Sequence, residues 1–470
     1  MHENNQFNEY IAFFRKNLGV GESFDVGERK LIIGGKESCI YYIEGFIISD
    51  ILQEIISDFF SVAKKDMDQT VTAMDFIKSH LPYAQVTLES NTDKMVKAVL
   101  SGLIILLVDG YSEAMIIDLR TYPVRGIEEP EKEKSLRGPK DGFVETLMFN
   151  TKMIRRRIRD TRLVFEMHTI GSASKTDVCV TFMKGIADEK VLEKIRDKMK
   201  GIRVDTLTVG DQSLVEAIAK SQWLNPFPKV RYTQRPDVVA AHLTEGKVAI
   251  LVDNSPTVIL IPTSIFDFLQ DTDDYYFPIL TGNYFRMLRI MNMLAVIFLT
   301  PAYLLIAEEH IPVPDRLDFF IPDEGYAIPL FAQFILLEFA IDALKLASLN
   351  TPSSLGMSLS VIGALILGQF SIDSGWFIPQ TILCMAVLAL ASFTQPSIEL
   401  GYAIKFMRIL ILVGVAVAGV YGAVAGIIIN IIALVKTKNI IGVCYLYPLY
   451  PFDWKILKRL VFRTRKDAKD

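Results

Sequence analysis

No P-loop, no G-x-G-x-x-G and no H-E-x-x-H occurs in these 470 residues, so nucleotide, dinucleotide and zinc-peptidase chemistry have no recognisable anchor. Histidine is scarce, with five copies far apart. The four cysteines, Cys39, Cys179, Cys384 and Cys444, form no C-x-x-C pair. Neither a zinc site nor a disulfide framework is suggested, and no metal or cofactor is expected. A basic stripe with interleaved aromatics is absent and the net charge is -4, which argues against nucleic acid as a partner. The opening "MHENNQFNEYIAFFRKNLGVG" has no continuous apolar core, so the first domain is expected to stay on the side where it is made. One S-x-x-K, Ser172 to Lys175, lacks the companion S-D-N and K-T-G, so it carries no acyl-transfer reading. Nothing assembles a nucleophile, a base and an oxyanion site. No catalytic residue is assigned and a non-enzyme is expected.

What the chain does have is a change of character near residue 284. Before it, charge and apolar residues mix as in a soluble protein; after it, long uncharged runs dominate. A hydrocarbon core of ~30 Å needs ~20 mostly apolar helical residues. Residues 290–307, 355–372, 376–395 and 409–435 meet that requirement. A fifth run, 326–346, carries Glu338, Asp342 and Lys345. Arg286 and Arg289 before the first run and the basic tail "WKILKRLVFRTRKDAKD" place both ends in the cytoplasm. Both ends inside demand an even number of crossings. The charged run is therefore expected at the interface or re-entrant, because a mid-bilayer carboxylate costs ~2.5–3.5 kcal/mol. Its alternative is a spanning helix with Glu338 and Asp342, one helical turn apart, facing water. A plain pairing of Lys345 with Asp342 stands beside both.

Small residues recur every four positions in two runs: Gly356, Ser360, Ala364 and Gly368, then Gly414, Ala418, Gly422 and Gly426. Such spacing lets helix backbones approach closely, either within one chain or between copies. In a ring of copies the 355–372 helix is the candidate for the lumen. Its candidate pore-lining residues are Ser358, Ser360, Gly363, Gly368 and Gln369, with Ser371 as a further polar group.

The soluble half contains an internal echo. "SGLIILLVDGYSEAMIIDLR" (101–120) parallels "EGKVAILVDNSPTVILIPTS" (245–264), each an apolar run, an Asp-Gly or Asp-Asn corner and a second β-rich run, which is a hairpin signal. Two α/β subdomains are expected, joined by the charged stretch 125–160. There "EEPEKEK" reads as an exposed connector and "RGPKDG" as a turn. "GFVETLMFNTKMIRRRIRD" then resumes helical spacing with Arg155, Arg156 and Arg157 at its end. Those arginines suit the C-terminal end of a helix or a contact with carboxylates or headgroups.

That stretch resembles the signature of the A subunits of bacterial spore germinant receptors, the GerA family: Arg125 with Glu129 and Pro130, then Arg137 to Glu145, then Asn150 with Arg155 to Arg157. Three further blocks resemble the family, "NPFPKVRYTQRPDVVAAHLTEGKVAILVDNSP" (225–256), "DDYYFPILTGNYFRMLR" (273–289) and "GVCYLYPLYPFDWKILKRLVFR" (442–463). Gln234 occupies a slot that is acidic in most of the family. The resemblance implies a nutrient receptor of the spore inner membrane, working with a permease-like B subunit and a lipoprotein C subunit. It further implies a homo-oligomer, a pentamer, forming a cation channel.

The expectation is thus an α/β soluble N-terminal region of two subdomains followed by an all-α polytopic membrane domain. The parts are residues 1–138 with the connector, 139–284, 285–441 with four to five helices, and a basic tail 442–470. Lipid, the B and C subunits and further copies of the chain are the expected partners. Arg155, Arg156 and Arg157 are candidates for subunit contact, and Glu338 and Asp342 for intramembrane or interfacial acids. A secondary transporter component and a membrane-anchored signalling scaffold are the alternatives.

Overall fold

The computed structural model describes residues 3–463 apart from 82–84, 121–128, 131–132, 135, 220–224, 309, 312–320, 323–325, 351–362 and 364–365. The chain forms two compact units. One is Met1–Ser221 with Val230–Pro262, the other Gln222–Lys229 with Thr263–Asp470.

The first unit holds two five-stranded antiparallel sheets. The first sheet comprises β1 (Val26–Ile33), β2 (Lys36–Ile43), β3 (Val86–Glu89), β4 (Ile104–Val108) and β5 (Ala114–Ile117), in the order β1-β2-β4-β5-β3. Strand β4, "IILLV", is buried on both faces, which explains why it is apolar throughout rather than alternating. Ile104, Leu106 and Val108 pack with helices α2 (Ser49–Ser61) and α4 (Ala73–His80). Ile105 and Leu107 pack against α1 (Glu3–Leu18) and α5 (Thr92–Leu100). A short α3 (Lys64–Gln69) lies between α2 and α4.

The second sheet repeats that plan. Strands β6 (Leu163–Ile170), β7 (Thr176–Met183), β8 (Arg231–Thr233), β9 (Val248–Val252) and β10 (Val258–Ile261) run β6-β7-β9-β10-β8. Helix α6 (Leu147–Arg157) leads into β6; α7 (Glu189–Lys200) and α8 (Gly210–Ile218) follow β7, and α9 (Pro236–Thr244) joins β8 to β9. The echoed segments are the β4–β5 and β9–β10 hairpins, at matching positions in the two sheets. Their corners match too: Gly110 (φ 88°) and Asn254 (φ 64°) both adopt the left-handed conformation that Gly and Asn tolerate.

In the second unit every helix or strand element described is helical. Short α10 (Asp273–Tyr276) precedes α11 (Ile279–Ala307) and α12 (Leu330–Asn350). A π turn (Ile366–Phe370) runs into α13 (Ser371–Asp373), then α14 (Pro379–Phe393), α15 (Ile398–Lys436) and α16 (Trp454–Val461). By length and composition α11 and α15 are long and apolar enough to cross a membrane, and α14 is a shorter apolar helix. Run 290–307 lies in α11 and 376–395 overlaps α14. Run 355–372 lies mostly outside the described residues.

Run 409–435 differs from the single straight span expected of it. Ala418 (φ -140°, ψ 19°) and Gly419 (φ 54°, ψ -131°) leave the helical region, and the chain folds back on itself there. A Cβ on Gly414 would collide with the Gly422 carbonyl, and one on Gly422 with that of Gly414. One on Gly426 would sit 3.0 Å from Ile411 Cα. Asn430 Nδ2 donates to Met407 O at 3.0 Å. The arms 398–417 and 420–436 thus form an antiparallel hairpin, about 30 Å and 25 Å long. The glycine spacing serves contact within one chain.

Paired contacts set the direction of the other helices. Near one end Asn292 Nδ2 donates to Thr394 Oγ1 (3.1 Å) and Gln395 Nε2 to Arg289 O (3.2 Å). Toward the other, Tyr303 meets Phe334 edge-on, Gln333 Oε1 accepts from Thr381 Oγ1 (2.8 Å), and His310 abuts the hairpin tip at Gly419. Helices α12 and α14 therefore run together, opposite to α11.

Candidate functional site

Four clusters of buried or half-buried charge stand out, two of them where the signature blocks meet. In the first unit the connector and the Thr233 to Asp237 segment close into one knot. Arg235, 1% exposed, donates to Pro139 O and Glu133 O (both 3.2 Å) and pairs with Asp237 (2.8 Å). The Glu133 carboxylate accepts from Thr233 Oγ1 (2.9 Å) and from Gln234 N (2.7 Å), while Gln234 O accepts from Phe143 N (2.8 Å). Burial pushes the Glu133 carboxyl up, against the pull of the Gln234 amide and of Arg231 and Arg235. Gln234 thus contributes backbone groups, and the carboxylate at this point belongs to Glu133.

The second site joins the two sheets. Arg155, at the end of α6, is buried and pairs with buried Asp25 (Nε to Oδ2, 3.0 Å). It also donates to Leu163 O (3.1 Å) and Asp160 O (3.2 Å) and lies over the Phe165 ring. Ser23 Oγ donates to Asp25 and accepts from Phe165 N (3.2 Å). The three arginines therefore diverge: Arg155 faces inward, Arg157 chelates Asp141 at 2.6 Å, and Arg156 is exposed. Lys152, one turn earlier, crosses Gly45 (φ 79°) where a Cβ would collide with it.

The third site lies inside the helical unit. Glu338 and Asp342 of α12 share one face, and they meet Lys405 and Arg408 of the first hairpin arm. Arg408 binds Glu338 and donates to Val296 O (3.0 Å); Lys405 binds Asp342 and lies 3.2 Å from Glu338 Oε2. Glu338 and Arg408 are 6% and 3% exposed. Two acids and two bases neutralise one another, which is how ionised groups persist inside an apolar bundle. Lys345 does not take Asp342: it lies 5.4 Å from the Phe393 ring and 6.0 Å from that of Tyr402. A second buried cluster closes the start of α11, where Asp274 (0% exposed) binds Arg286 (3.3 Å) and Arg289 (2.9 Å). Arg463 of the tail block donates to Asp274 O (2.7 Å). The third and fourth signature blocks are packed together here.

Of the candidate pore-lining residues, Ser358 and Ser360 lie outside the described residues. Gly363 is buried, and a Cβ there would sit 2.7 Å from Leu344 Cδ2. Gly368 is half-buried with open space where its side chain would be, and Gln369 is exposed, both on the π turn.

Groups suited to catalysis are held in other roles. Ser172 donates to Asp205 (2.7 Å), and Lys175 (φ 45°) completes the corner of the β6–β7 hairpin. Burial pushes the Cys39 thiol up to about 11 and that of Cys179 to about 12, which keeps both protonated and unreactive. No group of three or more His, Cys, Asp and Glu able to hold a metal occurs among the described residues. Sequence reasoning missed Asp25, Glu133, Lys405 and Arg408. The last two had a signal, two cations about a turn apart just before an uncharged run, as Glu338 and Asp342 are about a turn apart.

A family model described as Bacillus/Clostridium GerA spore germination protein matches residues 13–470. Stage V sporulation protein AF of Bacillus subtilis is 37% identical over 456 residues, covering 97% of this chain and 92% of that protein. Spore germination protein KA of Bacillus subtilis is 30% identical over 452 residues, covering 95% and 82%. The crystal structure of the N-terminal domain of the A subunit of the Bacillus megaterium spore germinant receptor GerK3 aligns at 26% identity and a TM-score of 0.40, over 53% of this chain and 92% of that one.

Proposed function

The chain belongs to the GerA family of spore germination proteins, and we propose that it is the membrane subunit of a nutrient receptor that triggers germination. In this reading it forms the oligomeric, cation-conducting part of a complex in the spore inner membrane, with permease-like and lipoprotein partners. It has no catalytic role of its own.

The observation that carries the membrane reading is the mutual neutralisation of Glu338, Asp342, Lys405 and Arg408 between α12 and α15. A bundle that buries Glu338 and Arg408 and half-buries Lys405 and Asp342, all in matched pairs, can stand in hydrocarbon, where single charges are costly. It also removes the reason for keeping the 326–346 run out of the bilayer. Helices α11, α12 and α14 and the two hairpin arms then make five crossings. These five are the crossings among the described residues. Arg286 of α11 donates to Leu460 O of α16, so these two basic segments lie at one end, and their positive charge assigns that end to the cytoplasmic side.

Gly368 and Gln369, exposed or half-open on the π turn, supply the candidate lumen surface, with Ser358, Ser360 and Gly363 on the same run. Exposed Arg156 is the candidate for subunit contact, and Arg155 and Arg157 support it from within. A nutrient bound at a partner would bias closed and open forms only through its differential affinity for them. A membrane-anchored scaffold is the second reading, favoured by the internal pairing of all four bundle charges. Timing monovalent-cation release from germinating spores that carry Gly368→Leu separates the two. A conducting subunit gives slowed or abolished release at normal protein level; an anchor gives unchanged release.

A further inference from the structure

We propose that α16 is a docking surface for anionic lipid headgroups, a proposal that rests on the reading that α11 crosses a bilayer. The helix "WKILKRLV" carries Lys455, Lys458 and Arg459 and no acid. At 3.6 residues per turn those three positions share one side, and Ile456, Leu457, Leu460 and Val461 the other. The apolar side is only half-covered by protein. Beside it Tyr450, Phe452 and Trp454 are 62%, 66% and 64% exposed. Aromatic rings next to lysines on a short amphipathic helix suit the boundary between headgroups and acyl chains.

The helix is held at one defined level. Asp453 caps it by accepting from Ile456 N (3.1 Å). Arg286 Nη1 donates to Leu460 O (3.2 Å), Asn283 Oδ1 accepts from Arg463 N (2.7 Å), and Arg463 Nη1 donates to Phe277 O (2.6 Å). These ties fix α16 beside the first turns of α11, just before its uncharged stretch begins. There the surface of a bilayer crossed by α11 would lie. Charge complementarity selects the lipid: each basic residue at an anionic surface multiplies binding about fivefold, so three give on the order of a hundredfold.

The test uses the full chain with Trp223→Phe and Trp376→Phe, so that Trp454 is the sole tryptophan, reconstituted in vesicles with shallow-brominated acyl chains. With phosphatidylglycerol present, strong quenching of Trp454 is expected. It should weaken in pure phosphatidylcholine, at high salt, and when Lys455, Lys458 and Arg459 are changed to Glu. Equal quenching in both lipids overturns the proposal, as does none in either. Shielding of Trp454 from aqueous iodide in detergent without lipid would mean that another protein surface covers the helix, and also overturns it. Alkaline carbonate extraction of the same vesicles separates the underlying premise. Release of the protein by carbonate refutes the crossing of α11 and the lipid site with it; retention without anionic-lipid-dependent quenching refutes the lipid site alone.

Discussion

Arg155 and Asp25, 130 residues apart, form a buried ion pair between the end of α6 and the chain leading into β1. The pair fastens the two sheets of the first unit at a point where Phe24 N also donates to Phe165 O (3.4 Å). Removing one partner strands a charge in low dielectric, which costs about 3–5 kcal/mol. Arg155→Ala and Asp25→Ala should each destabilise the first unit by that amount in urea unfolding of the detergent-solubilised chain. Arg156→Glu, at an exposed position, should cost less than either of these. If Arg156→Glu leaves the fold intact and abolishes complex formation in pull-down, the subunit contact stands; an intact complex removes it.

The four-charge cluster makes a second prediction. Arg408→Leu alone leaves Glu338 buried beside Lys405 only, and should lower the amount of folded chain recovered from membranes. Glu338→Leu with Arg408→Leu removes both charges, and should recover stability relative to either single change. Thermal unfolding in detergent across this cycle should give a coupling of about 0.5–3 kcal/mol. Strict additivity would mean that the two side chains do not interact.

Gly414 and Gly422 approach backbone to backbone across the α15 hairpin. Gly414→Leu or Gly422→Leu should therefore part the arms. Disulfide crosslinking between cysteines placed at Met407 and Asn430 should then fall steeply, whereas Gly368→Leu should leave it unchanged.

Acid should loosen the first sheet locally. Glu28 is held below the usual carboxylate range by its hydrogen bonds from Arg15 (2.8 Å) and Tyr41 (2.7 Å), against the opposing effect of burial. A depressed folded pKa contributes stability that is complete above the unfolded value near 4.5 and is lost as pH falls below it. Amide protection in β1 and β2 should drop below that pH. Glu28→Gln should lower protection at pH 6 and bring the two proteins together in acid.

Much of the first unit was legible because hairpins are local. An apolar run, a corner residue able to take positive φ and a second run are contiguous, so β4–β5 and β9–β10 could be read directly. The ties that make those pieces one unit were not legible. Asp25 and Arg155 carry no periodicity that links them, and Glu133 looks like one more charge in a solvated connector. In the helical unit, hydropathy marks apolar length but is blind to direction. A run of 27 uncharged residues scores the same straight or folded at Gly419. In the charged run 326–346 the sequence shows carboxylates whose burial in a bilayer is costly. That cost falls away once Lys405 and Arg408 are seen to meet it.

The crossing of the membrane by the helical bundle is tested most directly by which side its turns face. In a chain with Cys39, Cys179, Cys384 and Cys444 replaced, single cysteines at His310, Ala418 and Lys438 can be labelled with an impermeant maleimide in intact and inverted vesicles. The account predicts that His310→Cys and Ala418→Cys label from one side and Lys438→Cys from the other. Labelling of Ala418→Cys and Lys438→Cys from the same side would contradict it.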